Sequence, residues 1–259
     1  MRVNMLKVTT SWDDGDILDK RLADLLQHYG IKGTFYITKD YRPERLSDED
    51  IREIAEFHEI GGHSLTHPDL RTVSPEKRRE EVEGSKKWLE EILDHEVKMF
   101  CYPSGYFSRQ VAQAAQSAGF RGARTTELGA LALPDNPFNL KTTIQVYPFP
   151  FRKLNKKQLY FGRLIEPYQQ RAAGLLKLGI SRFSMHSWLS VAKAAFSAAL
   201  QTTAKAGQES KVFHLWGHSW EIEKYGMWKD LEKFLKYISN HEKCIYLTNC
   251  ELLGGFTAK

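Results

Sequence analysis

The sequence predicts an α/β fold whose parallel sheet closes into a barrel, and three observations predict it. Strand-like and helix-like segments alternate from Leu6 to Thr248, and repeated βα units imply parallel strands. The residues able to do chemistry follow strands: Asp13 and Asp14 the first, His63 and His67 the third, Tyr102 the fourth, His218 a late one. A barrel gathers its site at the C-terminal strand ends, whereas an open doubly wound sheet uses only its switch point. Neither an internal repeat nor a long linker divides the 259 residues, so a single domain over 1–259 is expected.

Each element has its own signal. Leu6 to Ser11 is a short apolar strand, and Asp13-Asp14-Gly15-Asp16 is a turn. Ile17 to Tyr29 carries apolar residues at helical spacing, with Gly30 at the C-cap. Gly33 to Thr38 is rich in β-branched and aromatic residues, a second strand. Ser47 and Asp50 form a capping box that opens a helix running to about His58. Ile60 to Ser64 is a third strand with His63 at its C-terminal end. Ser74-Pro75-Glu76 opens a helix that reaches about Leu93, with proline at its first position. Met99 to Tyr102 is a fourth strand, Ser108 to Ala118 a helix closed by Gly119, and Phe120 to Thr125 a fifth strand. The proline-rich stretch from Leu128 to Pro150 predicts a long loop with short strands. Beyond it, Leu159 to Leu178 contains a helix and Ser181 to Ser187 a strand. Val191 to Ala206 is helical by its alanine content. Val212 to Trp216 is a strand, Tyr225 to Ser239 one long helix, and Cys244 to Thr248 the last strand.

Composition narrows the class. Hydrophobic residues make up 42% and charged residues 27%, enough for a sizeable core under an ordinary hydrated surface. The net charge of +5 is spread among interspersed acids and bases, which points to a solvated surface and away from nucleic-acid binding. The basic run Lys153 to Lys157 is read as a solvated loop. No apolar segment approaches membrane-spanning length. The N-terminus lacks the apolar core of a signal peptide, because Val8 to Trp12 already belongs to a strand. Cys101, Cys244 and Cys250 form neither a disulfide framework nor a Cys-x-x-Cys pair, so a reducing, cytoplasmic setting is expected. The oligomeric state is not readable.

Two short segments carry the chemistry. Ser11-Trp12-Asp13-Asp14-Gly15 holds a carboxylate pair, and His63-Ser64-Leu65-Thr66-His67 holds two imidazoles. Alone, the first is an ordinary turn and the second a pair of surface or capping histidines. Together, after strands of one sheet, they offer a metal site. Asp14, His63 and His67 supply one oxygen and two nitrogens, the usual set for a catalytic divalent metal with an open position. Zn²⁺ suits that set best, and Co²⁺, Ni²⁺ or Mn²⁺ are also compatible. Asp13, beside a ligand, is left to act as a base toward water activated by the metal.

These residues resemble the first two motifs of the polysaccharide deacetylases, carbohydrate esterase family 4 or the NodB-homology domain. Phe100-Cys101-Tyr102-Pro103-Ser104-Gly105 is similar to the family's third motif and Leu215-Trp216-Gly217-His218 to its last. The resemblance implies a distorted (β/α)7 barrel and removal of an acetyl group from an N-acetylated sugar, with His218 as the acid that protonates the leaving amine. His214 is then structural. The backbone N–H of Tyr102 is expected to hold the oxyanion with the metal. Tyr102, Pro103 and Trp216 would line the sugar site, and Glu221 would orient His218. The third motif departs from the family pattern: Cys101 stands where many members carry an arginine that holds the catalytic aspartate. Arg121 and Arg124 are the candidates to replace it, with Arg124 nearer the strand end. Glu127 is the stand-in for the acidic member of a motif that is not visible. Other readings of the same residues are hydrolysis of a different amide or an O-acetyl ester, or a silent carbohydrate-binding protein.

Overall fold

The structure is a computed structural model that describes residues 4–152, 161–180, 185–203 and 211–254, with the side chains of 161–164 excepted. The run Lys153 to Lys157, the strand expected at 181–184 and the helix end at 204–206 lie outside the described residues; 185–187 form a turn.

Strands β1 (Leu6–Asp14), β2 (Gly33–Ile37), β3 (Glu59–Gly62), β4 (Met99–Cys101), β5 (Gly122–Arg124), β6 (Ile144–Gln145) and β7 (Val212–Gly217) pair in the order β5-β4-β3-β2-β1-β7-β6. Every pair is parallel. The segment 140–146 joins the two edges. Leu140 N–H donates to Ala123 O at 3.0 Å and Thr125 N–H to Leu140 O at 2.9 Å, while Thr143 N–H reaches His214 O at 2.9 Å. This closes the distorted (β/α)7 barrel. Strand β8 (Cys244–Tyr246) lies outside the ring and pairs with β1 at Leu6–Val8, below β2, which pairs with β1 at Thr10–Asp14.

Helices α1 (Asp19–His28), α2 (Asp48–Ala55), α3 (Pro75–Leu93), α4 (Arg109–Ser117), α5 (Phe161–Lys177), α6 (Trp188–Thr203), α7 (Ser219–Tyr225), α8 (Trp228–Ile238) and α9 (Asn249–Leu253) complete the described elements. Their starts follow local chemistry. Ser47 and Asp50 form the reciprocal capping box of α2, and Ser74 caps α3 with proline at its first turn. The helix expected over Tyr225 to Ser239 is α8, which begins three residues later because Gly226, at φ 67°, closes the separate short helix α7.

Strand alternation separates two interiors. Phe35, Ile37, Phe100, Phe213 and Leu215 point outward into the large apolar layer under the helices. Tyr36, Met99, Cys101 and Val212 point inward and pack on Leu252 and Leu253 of α9, which plugs one end. The barrel interior is unusually polar. Ser11 Oγ meets His214 Nε2 at 2.8 Å, and Asn249 holds both Thr9 Oγ1 and Tyr36 Oη at 2.8 Å.

His58 shows how a polar group is used away from the site. Its Nδ1 accepts the Gly33 N–H at 3.1 Å and its Nε2 meets Ala23 O at 3.1 Å, tying α1 to β2. Burial pushes its pKa down to about 4 from the usual 6.5. The unfolded chain therefore binds a proton there between pH 6.5 and 4 that the folded chain refuses, so stability falls as pH drops through that window. The depression corresponds to roughly 3 kcal/mol. Urea unfolding of wild type and His58→Gln at pH 7.5 and 4.5 should show a visibly shallower acid loss in the variant; equal losses would refute this role.

Candidate metal centre and cleft

The ends of β1, β3, β5 and β7 bring their side chains into one polar cluster. Asp13 and Asp14 end β1, and the turn after them needs Gly15, whose φ is 71° and whose added Cβ would sit 2.6 Å from Ile37 Cγ2. His63 follows β3, and the loop to His67 is held by Glu81 of α3. The buried Glu81 carboxylate accepts the N–H groups of Leu65 and Thr66, both at 2.9 Å, and the Thr66 hydroxyl at 2.8 Å. Burial raises its pKa, but these bonds and Lys77 outweigh burial and hold it below its ordinary value. Asp14, Ser64, His67 and Ser104 all adopt left-handed backbone, with φ of 86°, 65°, 58° and 55°. Such conformations cost about 1–3 kcal/mol each and persist where surrounding contacts over-determine them.

The donor atoms of Asp14, His63 and His67 lie within 4.8 Å of one another. His63 Nε2 and His67 Nε2 are 3.7 and 3.8 Å from Asp14 Oδ1. Two observations show that this set fits a metal. Asp14 Oδ1 is buried without a hydrogen-bond partner among the described residues, while Oδ2 accepts Trp220 Nε1–H at 2.8 Å. His63 Nδ1 sits 2.8 Å from Cys101 O, so it carries the proton and leaves the Nε2 lone pair free. Burial pushes His63 down to about 4 and also lowers His67, keeping both rings neutral, as ligands must be. Tyr41 stacks on the His67 ring at 4.2 Å between centroids.

Asp13 is buried against Arg124, whose guanidinium donates to its carboxylate. Burial raises the carboxyl pKa, but Arg124 and the nearby imidazoles overcome it, and the net shift is downward. Arg124 and Cys101 are register partners across β4 and β5. The arginine absent at position 101 is thus supplied from the next strand at the same height. Arg121 instead joins Glu96 at the surface. Cys101 is fully buried, its Sγ 3.8 Å from Asp13 Oδ2. Glu127 lines the cleft but pairs with Lys141 at 2.9 Å and not with Arg124.

On the other side, His218 follows β7. Its Nδ1–H donates to Glu221 Oε2 at 2.7 Å and its Nε2 lies 4.0 Å from Asp14 Oδ2. Burial would lower its pKa, but Glu221 and the two aspartates raise it to about 9. His214 is fully buried between Ser11 and Lys141 O. Trp216 lines the cleft, its ring 4.9 Å from the Arg124 guanidinium.

The expectation for Tyr102 is corrected. Its ring is fully buried, its hydroxyl donates to Phe138 O at 2.9 Å, and its N–H donates to Arg124 O at 3.2 Å. Neither its face nor its amide is open to a ligand. Pro103 is also buried and opens a 3-10 turn, which presents Ser104 to the cleft instead. Sequence reasoning missed Glu81, Tyr41 and the Trp220–Asp14 bond. A glutamate inside α3 or an aromatic in a loop carries no local signal for such long-range contacts.

The cleft has a volume of about 590 Å³, within the range of small-ligand sites. Fold and cluster together define a parallel α/β barrel with a candidate metal centre at its C-terminal mouth. The family model "Polysaccharide deacetylase" matches residues 4–123, the part of the chain that carries β1 to β4 and the candidate ligands. A peptidoglycan-N-acetylglucosamine deacetylase of Bacillus cereus is 28% identical over 116 residues, 44% of this chain and 54% of that protein. A peptidoglycan-N-acetylmuramic acid deacetylase of Bacillus subtilis is 27% identical over 108 residues, 39% and 38% of the two chains. The matched region thus spans about half or less of these relatives' length. The chitin deacetylase structure from Colletotrichum lindemuthianum superposes with TM-score 0.58 at 16% identity, over 98% of this chain and 91% of that one, a likeness of fold.

Arg124→Met should leave the Asp13 charge buried and unpaired, at a cost of roughly 3–5 kcal/mol. Asp13→Asn together with Arg124→Met should recover part of that loss in urea unfolding. An Arg124→Met protein as stable as wild type would contradict the pairing.

Proposed function

We propose that the protein is a metal-dependent hydrolase that removes the acetyl group from an N-acetylated sugar. One observation carries the reading: a buried carboxylate oxygen without a partner among the described residues, Asp14 Oδ1, faces two imidazoles, with the Arg124-paired Asp13 on one side and the Glu221-paired His218 on the other. Asp14, His63 and His67 would hold the metal, with Zn²⁺ the ion that best suits one oxygen and two nitrogens. Once bound, it supplies a Lewis acid that polarises the acetyl carbonyl and makes water acidic enough to attack.

The chain's own groups do the rest. Asp13, kept ionised by Arg124, takes the proton of the attacking water at its carboxylate. His218 Nε2–H donates to the departing nitrogen, and Glu221 holds the ring so that this nitrogen faces the cleft. Because the Tyr102 amide is committed to Arg124 O, the donor to the developing oxyanion is assigned to the Ser104 segment, which the strained 3-10 turn presents to the cleft. Acetate and a free amine leave. The matched relatives act on N-acetylated sugars by name, which supports the substrate class. No helix among the described residues is long and apolar enough to cross a membrane.

Acetate release from N-acetylated oligosaccharides, with and without added Zn²⁺, is the direct test. Asp13→Asn should keep its metal by elemental analysis yet lose ~10²–10⁴-fold in turnover, whereas His63→Ala with His67→Ala should lose the metal itself. Normal turnover in the metal-loaded Asp13 variant would place the base elsewhere.

His218→Ala should fold and bind metal but fall by ~10²-fold or more in kcat. In wild type the rate should decline as pH rises past the His218 pKa, because the acid must be protonated. Glu221→Gln removes the charge that lifts this pKa and should move the alkaline limb to lower pH. His214→Ala should instead mainly destabilise, leaving Ser11 Oγ and Lys141 O without their ring partner. A stable, inactive His214 variant beside an active His218 variant would reverse the assignment.

A further inference from the structure

We propose that the cleft contains a second recognition site, formed by Arg171 and Lys177, for an anionic substituent (carboxylate or phosphate) on the acetylated sugar. The sugar's identity as substrate rests on the deacetylase reading above; the anion site rests on the following geometry.

Both residues belong to α5 and line the same cavity as Asp14, His63 and His67. Arg171 is only 9% exposed. Its contacts are with neutral groups: one terminal nitrogen donates to Gln145 Oε1 at 2.6 Å, and the guanidinium lies 4.1 Å from the Tyr147 ring centroid. Its Nε has no acceptor among the described residues. The nearby acids are committed elsewhere. Glu166 pairs with Arg152 at 2.6 Å and Glu221 with His218 at 2.7 Å. Of the lining carboxylates, Asp13 pairs with Arg124 and Glu127 with Lys141, while Asp14 belongs to the candidate metal set. Among the described residues, Arg171 and Lys177 have no carboxylate within the 4.0 Å of an ion pair.

A guanidinium buried without a carboxylate in contact is unfavourable, and burial pushes its pKa below the usual arginine value despite the more distant Glu221 and Glu166. Rules of this kind are broken mainly where a ligand restores the balance. The planar fork of an arginine matches the two oxygens of a carboxylate or phosphate. Lys177, exposed at the rim of the same helix, adds a point charge that draws an anion inward. Gln145 locates the site within the cleft. It accepts from Arg171 on one side and donates to Glu221 at 3.4 Å on the other, so the anion would sit on the His218 side.

The test is binding of three matched sugars to the zinc-loaded protein by calorimetry: N-acetylglucosamine, its 6-phosphate, and its 6-carboxylate. At least one anionic sugar should bind ten-fold or more tightly than the neutral one, and the phosphate and carboxylate arms identify which anion the site takes. Arg171→Gln should bring that ratio close to one, Arg171→Lys should leave an intermediate preference, and Lys177→Gln, at an exposed position, should reduce it in a folded protein even if Arg171 variants misfold. Equal affinity for all three sugars, or a preference unchanged by Lys177→Gln and by every folded Arg171 variant, would overturn the proposal. Acetate release is followed in parallel. A preference that depends on Arg171 or Lys177 without any acetate release would uphold the anion site and reject the deacetylase reading alone.

Discussion

The ion pair between Asp13 and Arg124 is the constraint around which the barrel interior is organised. Both groups are buried, and a buried charge is tolerated only when matched. The pair therefore needs β1 and β5 at a fixed height across the ring. That height is set by the β4–β5 register, in which Tyr102 N–H donates to Arg124 O, and by Leu140, which bonds to both sides of Arg124. A barrel filled by branched apolar side chains could close with some slippage. This one cannot shift without separating the charges, and the segment 140–146 that closes it is held to β5 and β7 in turn.

The candidate metal ligands are fixed from behind by a different set of contacts. Glu81 fastens the loop between the two histidines, Cys101 O fixes the tautomer of His63, and Trp220 holds one oxygen of Asp14. Left-handed backbone at Asp14, Ser64, His67 and Ser104 is the local consequence of aiming short loops into one point. These contacts come from α3, β4 and α7, three elements far apart in the chain. A ligand set assembled this way is preorganised, so little ordering remains to oppose binding.

Most of the fold was legible because it is written in local terms. Capping boxes, proline at a helix start and period-two or period-3.6 patterning are decided within a few residues, and they located β1 to β5 and α1 to α4 closely. The errors have physical sources. Gly226 closes the short α7 and delays α8 to Trp228, and a glycine next to a helix start does not say from sequence that another helix ends there. Tyr102 sits next to a proline in a motif-like segment, yet strand alternation turns it outward into the core, away from the cleft. The site was legible to the extent that its residues follow strands: Asp13, Asp14, His63, His67 and His218 converge, and Arg124 reaches Asp13. What lay beyond reach were contacts such as that of Trp220, which belongs to no motif and bonds Asp14 from 206 residues away.

The exchange of cysteine and arginine between neighbouring strands carries a consequence for how this interior can change over evolution. The space beside Asp13 admits one guanidinium, and Cys101, small and uncharged, leaves that space to Arg124. Position 101 therefore constrains position 124 through volume, and position 124 constrains position 101 through charge. A large side chain at 101 would compete with the arginine for that space, and a neutral one at 124 would strand the carboxylate. The two positions are therefore coupled, each setting what the other can hold beside Asp13.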